Sequence, residues 1–549
     1  MSHSFHSGEE EKNVLSQAET GSIPIAKEEE VVDASSDNVT AHGQVVALHG
    51  PFAKLITYLA DRGVETRGLD RVPEDERTAQ ASFAVRRRSA AIAISTTRLA
   101  RVVSGLQIFF FWMSVNLSFS SLAVGGLGSE YFGLDFRTSL AVIWTMSVIG
   151  CLATAYVATL GLSGLRTMAV FRFAGGIPGT FICSVLNVLT QLSYSVTNAL
   201  AGAQAFHAIN HSLSLIVGIV VVSSVVFVLS IFGLAWVHRF ARYCWIACFI
   251  IYCIILALGT RGGYDVNRLT AQQATGKSLS AGILSFAGIM FSVASGWGVI
   301  AADYNVKLHA DTPKYRVFFF TFFGTFLPIV FTCTVSATFQ TITKPSYIAA
   351  FESDSLGGIV GAILSLLGGF GKFLLVLLGL STIASNAPNT YSGSLAMQSL
   401  APPLLKIPRI FFVVLFTAIY LIASIVGREH FSEIVSNFAS LLSYWTAFFI
   451  VILLLKFEWF RLPSGPLGRP DFDRFNDWKR LPPGFACVGA IAIAIGGIVP
   501  AMAQTYYTGP IAKAVEPVYG GDLGFEMSVG LSWIAYFVLR SIEVRVFKR

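Results

Sequence analysis

Tyr194 and Asn198 stand four residues apart in LNVLTQLSYSVTNALAGAQAF, and Ser385, Asn386, Pro388 and Asn389 interrupt the apolar run LLVLLGLSTIASNAPNTYSGS from Leu374 to Ser394. A side-chain amide pairs with donor and acceptor edges while an aromatic face stacks, which is chemistry for holding a flat heterocycle rather than for breaking a bond. The i, i+4 spacing puts Tyr194 and Asn198 on one helical face, beside Ala201 and Gly202, whose small size admits a close neighbour. Trp297, in the Ser-Gly-Trp-Gly run 295–298, can close on the opposite face of such a ring. Proline at 388 has no amide hydrogen and clashes with the carbonyl four residues back, so the stretch predicts a kinked or broken helix with free backbone groups around Ala384. In hydrocarbon such groups are tolerated where they line a cavity, which predicts a polar solute site near the bilayer midplane. The alternatives are a kinked helix whose asparagines bond neighbouring helices, a tyrosine bonded to backbone and a tryptophan in the interfacial belt.

The elements that must position these groups are membrane helices. The chain has 549 residues, of which 54% are hydrophobic and 13% charged, and its mean hydropathy is +0.64. That composition excludes an ordinary globular enzyme and predicts an all-α polytopic membrane protein. The net charge of +7 lies in short loops between apolar spans, an orientation signal rather than a nucleic-acid footprint. The seven cysteines lie in or beside apolar runs without zinc spacing and read as small hydrophobes. No P-loop, GxSxG or HExxH motif is present, and no acid, base or metal cluster shares one depth, so neither an enzyme nor an ATP-driven pump is expected. His207 and His211 have the spacing of a metal pair but no third ligand near them in sequence, so neither a metal nor another cofactor is expected. Asp303 and Glu526 fall at span ends, where an interfacial role is expected.

Residues 1–100 read as an N-terminal tail before any span, without a cleavable signal peptide. Its first ~45 residues are acidic and poor in aromatics, hence disordered, with Lys12 and Lys27 as candidate modification sites. An amphipathic patch, 49–59, and a charged stretch, 64–78, follow. Arg86, Arg87, Arg88, Arg98 and Arg101 crowd the approach to the first span, which predicts a cytoplasmic N-terminus. Twelve spans are expected near 104–128, 138–161, 177–208, 212–236, 241–259, 281–303, 316–341, 370–397, 408–427, 433–455, 484–507 and 524–541, each long enough for a ~30 Å core. Residues 101–455 form a ten-helix core, 456–483 a cytoplasmic loop, 484–541 helices 11 and 12, and 542–549 a cytoplasmic tail. Pro345 to Gly369 is expected outside the membrane proper, as a re-entrant or surface helix. With this topology the internal connections hold about fifteen Lys or Arg and the external ones about eight, the bias that keeps positive charge inside.

Spans 1 and 6 share a broken texture, FWMSVNLSFSSLAVGGLG and FAGIMFSVASGWGVIAADY, rich in serine and glycine. Paired interruptions at equivalent places in two five-span halves point to an inverted-repeat secondary transporter. Specific motifs extend this: Arg67-Gly68-Leu69-Asp70-Arg71-Val72-Pro73 with Glu76-Arg77, Trp112-Met-Ser114-Val-Asn116, Tyr194 to Asn198 with Gly202-Ala203-Gln204, Gly296-Trp297 with Ala302-Asp303-Tyr304, Gly369-Phe-Gly371-Lys372-Phe373, and Asn386-Ala-Pro388-Asn389-Thr-Tyr391-Ser392. From about residue 65 to 540 the chain resembles the fungal purine-cytosine permease branch of the nucleobase-cation-symport-1 family. The resemblance implies a LeuT-type 5+5 inverted repeat of twelve transmembrane helices at the plasma membrane, importing nucleobases (cytosine, or purines such as adenine, guanine and hypoxanthine) by proton symport and alternating access. It places substrate contacts at Ser120 or a near neighbour, Asn198, Asn386 and Pro388. Ser381 and Thr382 resemble the hydroxyl pair that holds sodium in bacterial relatives, although the fungal branch implies protons.

Two positions depart from the family pattern: Ser385 stands where a second asparagine is usual, and Tyr194 where a tryptophan is usual. A hydroxyl reaches less far than an amide and offers fewer donors, so the ring-edge code at Ser385 differs. The same fold carrying pyridoxine, thiamine or a pathway-specific metabolite therefore stays open, as does a receptor that binds without transporting.

Overall fold

The computed structural model describes residues 106–210, 212–270, 273–429, 431–460 and 470–549, together with 38–41, 44–47, 58, 68–74 and 77. Lys12, Lys27, the arginine cluster from Arg86 to Arg101, His211 and nearly all of the 49–59 patch lie outside the described residues. Within the tail expected to be disordered, Asn38–Ala41 and Gln44–Ala47 pair as a short antiparallel ribbon.

Long apolar helices dominate because hydrocarbon leaves backbone groups no partner except their own helix. Nine of the expected spans run as Phe136–Leu160, Leu215–Phe232, Leu234–Gly259, Lys314–Phe339, Gly369–Ser399, Arg409–Val426, Phe431–Leu455, Phe485–Ala501 and Gly524–Phe547. Span 3 is longer than its apolar pattern predicts. It starts at Thr167, bends at Gly176 (φ 61°, ψ −166°) just before Pro178, and ends at His207. The bend needs glycine, since a Cβ at 176 would sit 2.3 Å from the Pro482 carbonyl oxygen.

Spans 1 and 6 are broken as their texture predicts. Span 1 runs Leu106–Asn116 and Phe119–Glu130, bent by 54° between the two. Span 6 is an α-helix over Gly276–Ser295 and continues as a 3-10 helix over Gly298–Tyr304. Below, the face from which span 1 enters is the lower face.

Span 8 corrects the expectation of a break: Gly369–Ser399 is one continuous helix with Pro388 inside it. Every residue from Ser381 to Ser399 is buried, so protein packs against the helix on all sides. In that setting the loss of one amide donor does not open the helix, and packing overrides the local penalty of proline.

The Pro345–Leu364 helix is long and apolar enough to pass for a span, yet Asp354 and Ser355 break it near its centre. Each half is about nine residues, or ~14 Å, too short for a ~30 Å core. It instead covers the upper end of span 3, where a Cβ at Gly357 would meet the Gln204 carbonyl at 2.9 Å and one at Gly361 the Ala208 side chain at 3.0 Å. His207, the described half of the histidine pair, faces this cover, its Nε2 3.8 Å from the Asp354 carboxylate.

Spans 2 and 6 approach closely at Gly150, where a Cβ would lie 2.7 Å from the Ala294 Cβ and 2.8 Å from the Phe291 carbonyl oxygen. Gly150→Leu is expected to wedge them apart at a cost of about 1–3 kcal/mol or more. A lower melting temperature in detergent checks this.

Candidate functional site

Residues of both helix breaks line one cavity, and each break is tied to its neighbours. At the first, Ser118 is extended (φ −111°, ψ 161°), and the freed amide of Phe119 donates to Ser381 Oγ of span 8 at 3.0 Å. At the second, the Ala294 carbonyl accepts from Thr154 Oγ1 of span 2 at 2.6 Å, and Ser295 Oγ lies 2.9 Å from Thr446 Oγ1 of span 10. Glycine at 296 lets Tyr194 approach this break, because a Cβ would fall 2.4 Å from the Tyr194 hydroxyl. These side-chain partners satisfy the irregular backbone that the bilayer could not.

Between the breaks lies a cavity of about 60 Å³, room for about four to six waters. Five sequence-predicted residues line it: Ser120 from span 1, Tyr194 and Asn198 from span 3, Trp297 from span 6 and Ser385 from span 8. Asn386 and Pro388 do not. Asn386 is fully buried, turned toward span 3, with its Nδ2 3.5 Å from the Ser195 carbonyl oxygen. The Pro388 carbonyl instead accepts from the Tyr304 hydroxyl at 2.9 Å.

Sequence reasoning missed several lining residues. Asn116 and Ser121 were visible in the polar texture of span 1, and Thr197 beside Asn198. Thr332 of span 7 and Phe438 of span 10 also line the cavity, but each sits in an ordinary apolar run that gives no signal. Asn389 is a further candidate. It is fully buried, neither atom of its carboxamide has a hydrogen-bond partner among the described residues, and it lies one helical turn below Ser385.

The ring geometry is specific. Tyr194 and Trp297 lie parallel, 8° between planes and 6.0 Å between centroids. A guest sandwiched between two rings needs about 7 Å between their planes, more than the 6.0 Å that separates the centroids, so it must spread the pair or lie against one ring. Phe438 meets Tyr194 edge-on at 5.6 Å. Ser120 Oγ donates to Asn198 Oδ1, and Asn198 Nδ2 donates to the Tyr194 carbonyl at 2.8 Å. One amide thus joins span 1 to span 3 at the cavity wall.

Beneath the cavity the lower side is closed by aromatic rings. Trp112 packs edge-on to Trp297 at 5.8 Å and to Tyr304 at 5.7 Å, and Phe111 lies 4.7 Å from Tyr304. Tyr304 is bolted to span 8 through Pro388 and through Ser392 Oγ at 2.9 Å. Asp303, at the end of span 6, is buried. It accepts from the Thr167 amide at 2.8 Å and from its hydroxyl at 3.0 Å, so the lower half of span 6 caps the N-terminus of span 3.

The hydroxyls of Ser381 and Thr382 donate back to their own helix, to Leu378 at 2.6 Å and Gly379 at 2.8 Å. Because the Phe119 amide also points at Ser381 Oγ, a cation there would have to displace an N–H.

A family model described as a permease for cytosine/purines, uracil, thiamine and allantoin matches residues 96–457. The purine-cytosine permease fcyB of Emericella nidulans is 30% identical over 521 residues, 94% of this chain and 96% of that protein. The vitamin B6 transporter TPN1 of Saccharomyces cerevisiae is 29% identical over 538 residues, 89% of each. Among solved structures, Mhp1, a nucleobase-cation-symport-1 family transporter in a closed conformation with bromovinylhydantoin bound, superposes with a TM-score of 0.56 at 15% identity, over 81% of this chain and 93% of that one.

Proposed function

Because this chain belongs to the family of permeases for cytosine/purines, uracil, thiamine and allantoin, and is a multi-pass membrane transporter rather than an enzyme, we propose that it imports a nucleobase, cytosine or a purine, by proton symport and alternating access. One observation carries the reading: the parallel rings of Tyr194 and Trp297 share a small buried cavity with the amide of Asn198 and the hydroxyls of Ser120 and Ser385. Rings clamp a flat guest and the polar groups read its edge. Asn386 and Asn389, buried in span 8 behind Ser385, turn toward the guest as the cavity fills.

In the transport cycle spans 1, 2, 6 and 7 rock against the remaining helices, the two halves of the ten-helix core being inverted repeats. The lower face, cytoplasmic by the distribution of Lys and Arg, is closed in the conformation described. Proton coupling is favoured over sodium by the N–H that faces Ser381, since an oxygen-only cradle is what a hard cation needs. The protein resides in the plasma membrane.

Uptake of radiolabelled cytosine, adenine and pyridoxine in a transporter-deleted host tests the reading: accumulation of a base against its gradient supports it. Binding without accumulation would mark a receptor. Selective pyridoxine uptake would favour the second reading, which Ser385 in the cavity wall keeps open. Ser385→Asn restores an amide where the family pattern has one. It is expected to raise discrimination for cytosine over pyridoxine by about tenfold, given ~1–3 kcal/mol for a well-placed amide pair, as read by competition.

A further inference from the structure

Residues 68–74 and Arg77 precede the first span by about thirty residues, yet they are built into the lower face, and the site above makes no use of them. Arg77 is buried. Its Nη1 donates to the Leu162 carbonyl at 3.0 Å, its Nη2 to Ser163 at 2.9 Å and its Nε to Val72 at 2.8 Å. Arg71 Nε donates to the same Ser163 carbonyl at 2.9 Å, and its other end pairs with Asp473 in the loop before span 11. The carbonyls of Leu162 and Ser163 end the helix of span 2, where unpaired acceptors and the negative end of the dipole favour a cation. Gly164 makes the seat: its φ is +78° and a Cβ would overlap the Arg77 guanidinium at 1.9 Å, while its carbonyl accepts from the Val72 amide at 3.0 Å.

The front of the same segment holds different helices. Arg166, at the start of span 3, donates from Nε to the Gly68 carbonyl at 2.9 Å. The Gly68 backbone lies against the Gln398 carboxamide at the lower end of span 8. Leu69 is buried in the same apolar cluster as Trp112, Trp297, Tyr304 and Tyr391, the rings that close the lower side.

We infer that residues 68–74, with Arg77, act as a strap that locks the lower face shut, and that it must let go once in each transport cycle. Its two arginines cap span 2, which moves in the rocking cycle, whereas Gly68 is anchored on Arg166 of span 3 and Gln398 of span 8, which do not. Opening the cavity downward separates these anchors, and Gly68 and Arg77, both buried, cannot keep their partners at once. The strap thus couples the N-terminal tail to the exit step. The inference rests on the alternating-access reading above.

The experiment is a reversible clamp in the full-length chain: Arg71→Cys with Asp473→Cys, bridged by a short bis-methanethiosulfonate and released with reductant. Radiolabelled cytosine uptake by the reduced pair tests the transport reading itself. Bridging, read by mass spectrometry, is expected to lower uptake by about tenfold or more and reductant to restore it. A bridged protein that transports at the reduced rate overturns the strap, as does failure of the pair to bridge. Should the pair be inactive before bridging, Arg77→Ala decides through maleimide labelling of Ser392→Cys from the lower face in everted vesicles. Labelling is expected to rise by about tenfold as the closed state loses its lock, and unchanged labelling overturns the inference.

Discussion

Asn198→Ala is expected to abolish uptake, by about 100-fold or more, while the protein still reaches the cell surface. The argument is in the partners. Asn198 accepts from Ser120 Oγ and donates to the Tyr194 carbonyl, so its amide fixes the broken span 1 against span 3 and sets the tilt of the ring beside it. Truncation removes the one side-chain hydrogen bond that ties Ser120 of span 1 to span 3 at the cavity wall, worth about 0.5–1.5 kcal/mol. It also removes the group best placed to read a ring edge, and leaves the guest's own polar edge unpaired in a desolvated site, a mismatch of the kind that costs up to about 10⁴–10⁵. Asn198→Gln keeps the amide but moves it one methylene into a cavity of only about 60 Å³, so it is expected to recover little. Uptake normalised to surface protein is the measurement. Wild-type transport by Asn198→Ala would move the site elsewhere.

How far this site could be read from the chain depends on what each residue had to signal. Glycine and serine clustered in apolar runs announce the breaks of spans 1 and 6 because such clusters make poor continuous helices. Tyr194 and Asn198 announce a face through their spacing, and both line the cavity. Pro388 misleads: as a local feature it predicts a broken helix, but span 8 is buried on all sides from Ser381 to Ser399 and stays continuous. The polarity of that stretch is real, but it faces spans 3 and 6 as well as the cavity, so Ser385 lines the cavity and Asn386 does not. Phe438 and Thr332 could not be found at all, since a lone phenylalanine or threonine in a membrane helix looks the same whether it meets lipid, a neighbour or a guest. Only the crossing of spans 7 and 10 over the breaks gives them a role. The strap motif was legible as a resemblance and mute as to purpose, because its partners Leu162, Ser163 and Gln398 are distant in sequence.

Trp297→Ala is expected to raise the KM for cytosine by about 10–100-fold and, unlike Asn198→Ala, to loosen the lower closure. Two contacts separate here. Toward the cavity, Trp297 lies parallel to Tyr194, and a ring stacked on a base is worth about 1–3 kcal/mol. Toward the lower face its other side receives the edge of Trp112, so truncation leaves a void in the aromatic plug at a cost of about 3–5 kcal/mol. The second loss falls on the closed state alone and shifts the resting population toward one open below. Trp297→Phe keeps a ring in both contacts and is expected to recover most of the affinity and most of the closure. Parallel measurement of cytosine KM and of maleimide labelling at Ser392→Cys distinguishes the two roles. A raised KM with unchanged labelling would confine Trp297 to the guest, and a normal KM would remove it from the binding site.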